Sequence, residues 1–127
     1  MSQVSLFRSY LSTAFRWQRG RQRSGYEKML LLTGKWPLPF DVYLLRFRVG
    51  SEIRPHTDRT TEGRHYRLNV VVWRAFEGGE LKCQAPLFET DRIKYFRPDI
   101  SAHSVSRVVR GSRYVLSVGW LRSAHAR

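Results

Sequence analysis

The chain has 127 residues, enough for one hydrophobic core and no second. Hydrophobic residues make up 42% and aromatics 13%, too many for a disordered chain. No apolar run approaches the ~20 residues of a membrane span. The single cysteine, Cys83, excludes an internal disulfide and suits a reducing compartment. Lys and Arg total 23 against 10 for Asp and Glu, a net charge of +13, so an anionic partner is the first to consider.

In chain order, residues 1–18 predict an amphipathic helix. Phe7, Tyr10, Leu11, Ala14, Phe15 and Gln18 recur at steps of three and four, opposite Arg8, Ser12 and Arg16. The same residues lack a basic start followed by a continuous apolar stretch, so no signal peptide is expected and the protein is read as cytoplasmic. Gln18 to Gly25 is a basic loop, with Arg19 to Arg23 as its charged part. Tyr26 to Thr33 fits a short helix or a strand equally. Pro37 and Pro39 then break any regular ladder.

From Asp41 to Val49 the pattern turns β-rich, with Tyr43, Leu45, Phe47 and Val49 on one face. Gly50 ends it. Tyr66 to Trp73, Leu81 to Gln84, Arg92 to Phe96, Ser104 to Val109 and Arg113 to Trp120 predict further strands, separated by turns at Glu77-Gly78-Gly79, Arg97-Pro98-Asp99 and Gly111. Short strands at steps of about 8–12 residues point to a sandwich or barrel rather than βαβ units. The organisation expected is a single domain: an N-terminal helix and basic loop over residues 1–39, a β core over 40–121 and a tail over 122–127.

Two histidines stand in informative contexts. His56-Thr57-Asp58 puts an imidazole and a carboxylate at positions i and i+2, which point the same way in an extended segment. His103, just before a predicted strand, offers a third ligand. Two His and one carboxylate on one face leave three coordination positions free, the set that suits Fe(II) with O2 and a co-substrate. Taken alone, His-x-Asp is a weak signal and reads first as a polar turn beside a solvated histidine. Arg113 adds weight. It opens a strand whose same-face residues are Val115, Ser117 and Gly119, and an inward guanidinium on such a face requires an anionic partner.

Together these stretches resemble the prolyl-hydroxylase-like branch of the 2-oxoglutarate/Fe(II) oxygenases. The matching residues are Phe47, Gly50, Ile53, His56 and Asp58, then Gly78-Gly79-Glu80-Leu81, then Phe96-Arg97-Pro98-Asp99 leading to His103-Ser104-Val105, then Gly111 to Trp120. The resemblance runs from about Phe40 to Leu121. It implies a mainly β fold, a double-stranded β-helix (jelly-roll, cupin-like) of eight strands in two facing sheets. It implies His56, Asp58 and His103 as Fe(II) ligands, and Arg113 as the partner of the distal carboxylate of 2-oxoglutarate. Ser117 becomes a lesser co-substrate contact. Phe47 stands where many relatives carry a tyrosine, and Tyr43 on the same face supplies a phenol instead. Trp73 stands at a second such position, with Asn69 as a substitute on its face.

The activity implied is hydroxylation of a C–H bond in a protein, peptide or small molecule by O2, with release of succinate and CO2. A chain this short leaves little for a lid, so a macromolecular substrate or a dimer that completes the site is expected. The Arg19–Arg23 loop suits an acidic substrate. The alternatives are an oxidative nucleic-acid demethylase of the same superfamily and a non-catalytic basic β-barrel binding module. The demethylases carry a second arginine where this chain has Gly119, so nucleic acid is not the favoured partner. No membrane partner is expected.

Overall fold

The computed structural model describes residues 14–20, 24–60 and 63–123. They form ten strands and no helix. In chain order these are β1 Trp17–Arg19, β2 Glu27–Gly34, β3 Phe40–Phe47, β4 Ile53–His56, β5 Arg64–Trp73, β6 Leu81–Cys83, β7 Phe88–Glu89, β8 Ile93–Phe96, β9 His103–Val105 and β10 Arg113–Arg122. A seven-stranded sheet runs β1-β2-β3-β10-β5-β8-β7, and a three-stranded sheet runs β4-β9-β6. Every pairing between these strands is antiparallel. The mainly β, jelly-roll expectation is met. The first two strands extend the large sheet beyond the segment in which strands were expected.

Alternation builds the large sheet. Along β10, Arg113, Val115, Ser117 and Gly119 are buried, while Tyr114, Leu116, Val118 and Trp120 on the other face are half-buried. The register stacks the inward residues of three neighbouring strands into layers. Phe47 lies opposite Arg113, Leu45 and Val71 flank Val115, Tyr43 and Asn69 flank Ser117, and Asp41 and Arg67 flank Gly119. Layered side chains of this kind fill the inside of a barrel. The core joins the two sheets: Phe47 of β3 and Val115 of β10 pack with Val105 of β9 and with Val108, all buried. Each contributes about 1.5–3 kcal/mol through burial. Tyr26 stacks on Phe47 at 5.1 Å and closes that end.

The Gly78-Gly79 turn allows no side chain. Both residues have positive φ, and a Cβ on Gly78 would stand 2.0 Å from the Arg107 carbonyl oxygen. This close approach places β6, and with it the small sheet, against the segment that enters β10.

The N-terminal helix requires correction where the residues are described. Phe15 has φ of 60°, which no helix continues, and Trp17–Arg19 pairs as a strand with β2. Edge pairing prevails over the 3.6-residue period, supported by the Arg46 guanidinium 3.9 Å from the Trp17 ring centre. Residues 1–13 of that prediction, Arg21 to Arg23 of the basic loop and His125 lie outside the described residues. Tyr26 to Thr33, open between helix and strand, is the strand β2.

Candidate metal centre

His56 ends β4, His103 opens β9, and the two are cross-strand partners in the small sheet. Asp58 follows β4 by two residues, and its backbone N–H donates to the Pro98 carbonyl at 2.6 Å. That bond ties the carboxylate to the turn leading into β9. The three ligand atoms lie within 4.8 Å of one another. His56 Nε2 is 3.4 Å from one Asp58 oxygen and His103 Nε2 is 3.4 Å from the other.

The hydrogen bonds behind the rings set the tautomers. His56 Nδ1 lies 2.8 Å from the Arg54 carbonyl, and His103 Nδ1 lies 2.9 Å from the Ser101 carbonyl. A carbonyl only accepts, so both Nδ1 atoms carry a proton, which leaves the Nε2 side of each ring for a metal ion. The two Nε2 atoms and the carboxylate converge on one point. Ligands at about 2.1 Å on adjacent corners of a coordination shell stand about 3 Å apart, so a small divalent ion fits this spacing. Backbone carbonyls that orient the imidazoles are the usual outer support of such ligands. Sequence reasoning did not single out Ser101. It is almost fully buried, and its hydroxyl accepts from the Ala85 N–H at 2.9 Å, which pins the carbonyl behind His103.

The triad opens into a cavity of about 260 Å³ between the sheets. Arg113, Ser117, Asn69 and Tyr43 all line it. Arg113 is 5% exposed, and its guanidinium stands 5.2 Å from the centre of the Phe47 ring. Among the described residues it has no hydrogen-bond or ion-pair partner for its side chain. Burial pulls its pKa down to about 10, opposed by the Glu80 charge, and it remains a cation at neutral pH.

The polar residues further along the cavity are already engaged. Ser117 Oγ donates to Asn69 Oδ1 at 2.6 Å and accepts from Arg67 Nη1 at 2.8 Å. Arg67 Nη2 donates to Asp41 Oδ1 at 2.8 Å and lies 3.3 Å from His65 Nε2. Arg67 therefore points inward rather than to solvent, and it fills the space over Gly119, where a Cβ would stand 2.1 Å from Nη2. Burial and the Arg67 charge lower the His65 pKa, so this imidazole is neutral at pH 7. Tyr43 lines the cavity, and its phenol is pushed up, chiefly by burial.

Trp73 does not join the site. A bulge between β5 and β10 sets Val71 opposite Val115 but Trp73 opposite Tyr114, whose side chain faces outward, and Trp73 is 62% exposed. Val71 takes the inward position beyond Asn69.

No family model matches the chain, and no curated protein matches it either. Solved structures do. A prolyl-4-hydroxylase from Pseudomonas putida superposes with a TM-score of 0.65 at 15% identity, covering 94% of this chain and 83% of that one. KdgF from Halomonas sp. gives 0.56 at 16% identity over 86% and 88% of the two chains. A cupin-2 domain from Rhodospirillum rubrum gives 0.55 at 9% identity over 88% and 72%. The fold is the cupin-like double-stranded β-helix. At these identities the likeness establishes that fold alone. No helix among the described residues is long and apolar enough to cross a membrane.

Proposed function

We propose that this protein is a 2-oxoglutarate- and Fe(II)-dependent dioxygenase that hydroxylates a C–H bond of a protein, peptide or small-molecule substrate. One observation carries the reading. A guanidinium buried to 5% exposure, with no hydrogen-bond or ion-pair partner for its side chain among the described residues, lines the same cavity as a His-Asp-His set whose ligand atoms converge. A buried charge without a partner is costly, so the chain keeps Arg113 for an anion it does not itself supply.

In this reading His56 Nε2, Asp58 and His103 Nε2 hold Fe(II). Arg113 pairs with the distal carboxylate of 2-oxoglutarate through parallel N–H donors. Iron with this co-substrate and O2 supplies the oxidising chemistry, and one oxygen atom goes to the substrate and one to succinate as CO2 is lost. The chain's own part is geometric. The carbonyls of Arg54 and Ser101 fix the imidazoles, Val115, Phe47 and Leu81 line an apolar wall against water, and the Ser117–Asn69 pair fills the layer next to Val115.

Anaerobic titration with Fe(II) and 2-oxoglutarate tests this directly. A weak visible charge-transfer band is expected in the wild type and its loss in His56→Ala, and a wild type without the band overturns the reading in favour of a binding module. Succinate release across amino acids, peptides and oligonucleotides then separates hydroxylase from demethylase. A second reading, nucleic-acid demethylation, draws support from the Arg67 guanidinium over Gly119, the volume a second arginine on β10 would enter. Its ties to Asp41 and Ser117 count against a co-substrate role. Binding of oligonucleotides that weakens steeply with salt would favour it.

A further inference from the structure

We propose that the substrate carries a carboxylate next to the carbon that is oxidised, and that Lys28 receives it. The proposal rests on the oxygenase reading and names its substrate class.

Lys28 belongs to β2 and lies opposite Leu45, whose side chain faces the cavity. Lys28 lines the same cavity, with its ammonium 5.3 Å from the centre of the Tyr43 ring. The charged residues of that lining are Lys28, Asp58, Arg67 and Arg113. Three have work assigned. Asp58 faces the two imidazoles, Arg67 is paired with Asp41, and Arg113 awaits the co-substrate. Lys28 is left over. Among the described residues it has no ion-pair partner, and the face of an aromatic ring holds it at the cavity wall.

The surroundings select a carboxylate over other anions. Phosphate is usually gripped by several converging donors, such as a helix N-terminus or an arginine cluster, and no helix is found among the described residues. One ammonium matches a single negative charge. The Tyr43 phenol, protonated at neutral pH, offers a second donor beside it. Arg67, although paired, adds positive potential from the next layer and lies near enough to Tyr43 to act on its ionisation. The only acid of the lining, Asp58, belongs to the triad, so no carboxylate of the lining outside it competes for the Lys28 ammonium.

The test uses the full chain under anaerobic conditions, loaded with Fe(II) and 2-oxoglutarate. Glutamate against glutamine and aspartate against asparagine are titrated, both as free amino acids and within capped peptides, and the perturbation of the charge-transfer band gives each dissociation constant. Succinate release under air is the second readout. The acid of each pair is expected to bind about tenfold tighter than its amide in the wild type, the size of a charge-assisted hydrogen bond. Lys28→Gln is expected to erase the difference, and Lys28→Glu to reverse it, with the band of the loaded protein retained as proof of folding. The free and capped arms identify whether the carboxylate belongs to a small molecule or to a peptide. Equal binding of acid and amide, no binding of either, or an acid preference that survives both variants overturns the proposal while the oxygenase reading stands. Absence of the band in the wild type removes both.

Discussion

Two guanidinium groups enter one cavity and are treated in opposite ways. Arg67, at one end of the layered strands, spends its donors within the chain, on Asp41 and Ser117. Arg113, three layers away on β10, is more deeply buried and has no such partner among the described residues. A folded chain satisfies its buried charges where it can. The contrast between them is what supports the proposed ligand role of Arg113, and Arg67 shows that the fold can build a partner for a guanidinium.

Substitution at Arg113 separates the two roles most sharply. Arg113→Met is expected to weaken 2-oxoglutarate binding about 100-fold, as removal of one partner of a buried charge pair does. The same change is expected to raise the stability of the ligand-free protein by about 1–3 kcal/mol, because an unpaired buried cation is replaced by an apolar chain. Anaerobic titration and denaturant unfolding check the two halves. Arg67→Met is expected to do the reverse and lower stability by about 1–3 kcal/mol, by leaving Asp41 and Ser117 without their donor. A stability loss at both sites, or at neither, breaks the comparison.

A double-mutant cycle sharpens it further. Gly119→Ala is expected to cost about 1–2 kcal/mol, because the new methyl meets the Arg67 guanidinium held against Asp41. In an Arg67→Ala background that cost should vanish, giving a coupling of about the same size in paired unfolding curves.

The smallest effect concerns a third arginine. Burial raises the pKa of the Asp99 carboxyl, but hydrogen bonds and charge from Arg97 outweigh this and leave it below its ordinary value of 3.8. A carboxyl with a lowered folded-state pKa contributes stability above its ordinary value and loses it as pH falls through the folded value. Arg97→Ala should therefore lower stability by less than about 1 kcal/mol at neutral pH, with the difference fading in acid below the ordinary carboxyl range. Unfolding curves across that pH range check the sign.

Of the large sheet, β3, β5, β8 and β10 were readable because they are rich in strand-forming residues and because turn residues bound them, whereas β1 was read as helix, β2 fitted either state and the two-residue β7 was missed. β4 escaped notice: it is short, contains Pro55, and is recognisable only once β9 pairs with it. β9 is shorter than its apolar pattern, ending at Val105, because Ser106 and Val108 give their N–H groups to the carbonyls of Glu80 and Ser51 instead of to a ladder. The His56-x-Asp58 pair and His103 became legible only together with Arg113 and the family resemblance, since the two-residue period by itself fits a polar turn. Lys28 was not legible, since its segment fits helix and strand alike and only pairing with β3 turns it inward. Trp73 misled for the opposite reason, since a bulge reverses a face that strict alternation would keep.

The positions of the triad and of Arg113 on different sheets have a mechanical consequence. His56 and His103 belong to the three-stranded sheet, whereas Arg113 belongs to the seven-stranded one. Any molecule that reaches both acts as a cross-brace between the two halves of the sandwich. Loading would then resist their separation, and amide exchange along β4 and β9 is the place to read how firmly the brace holds.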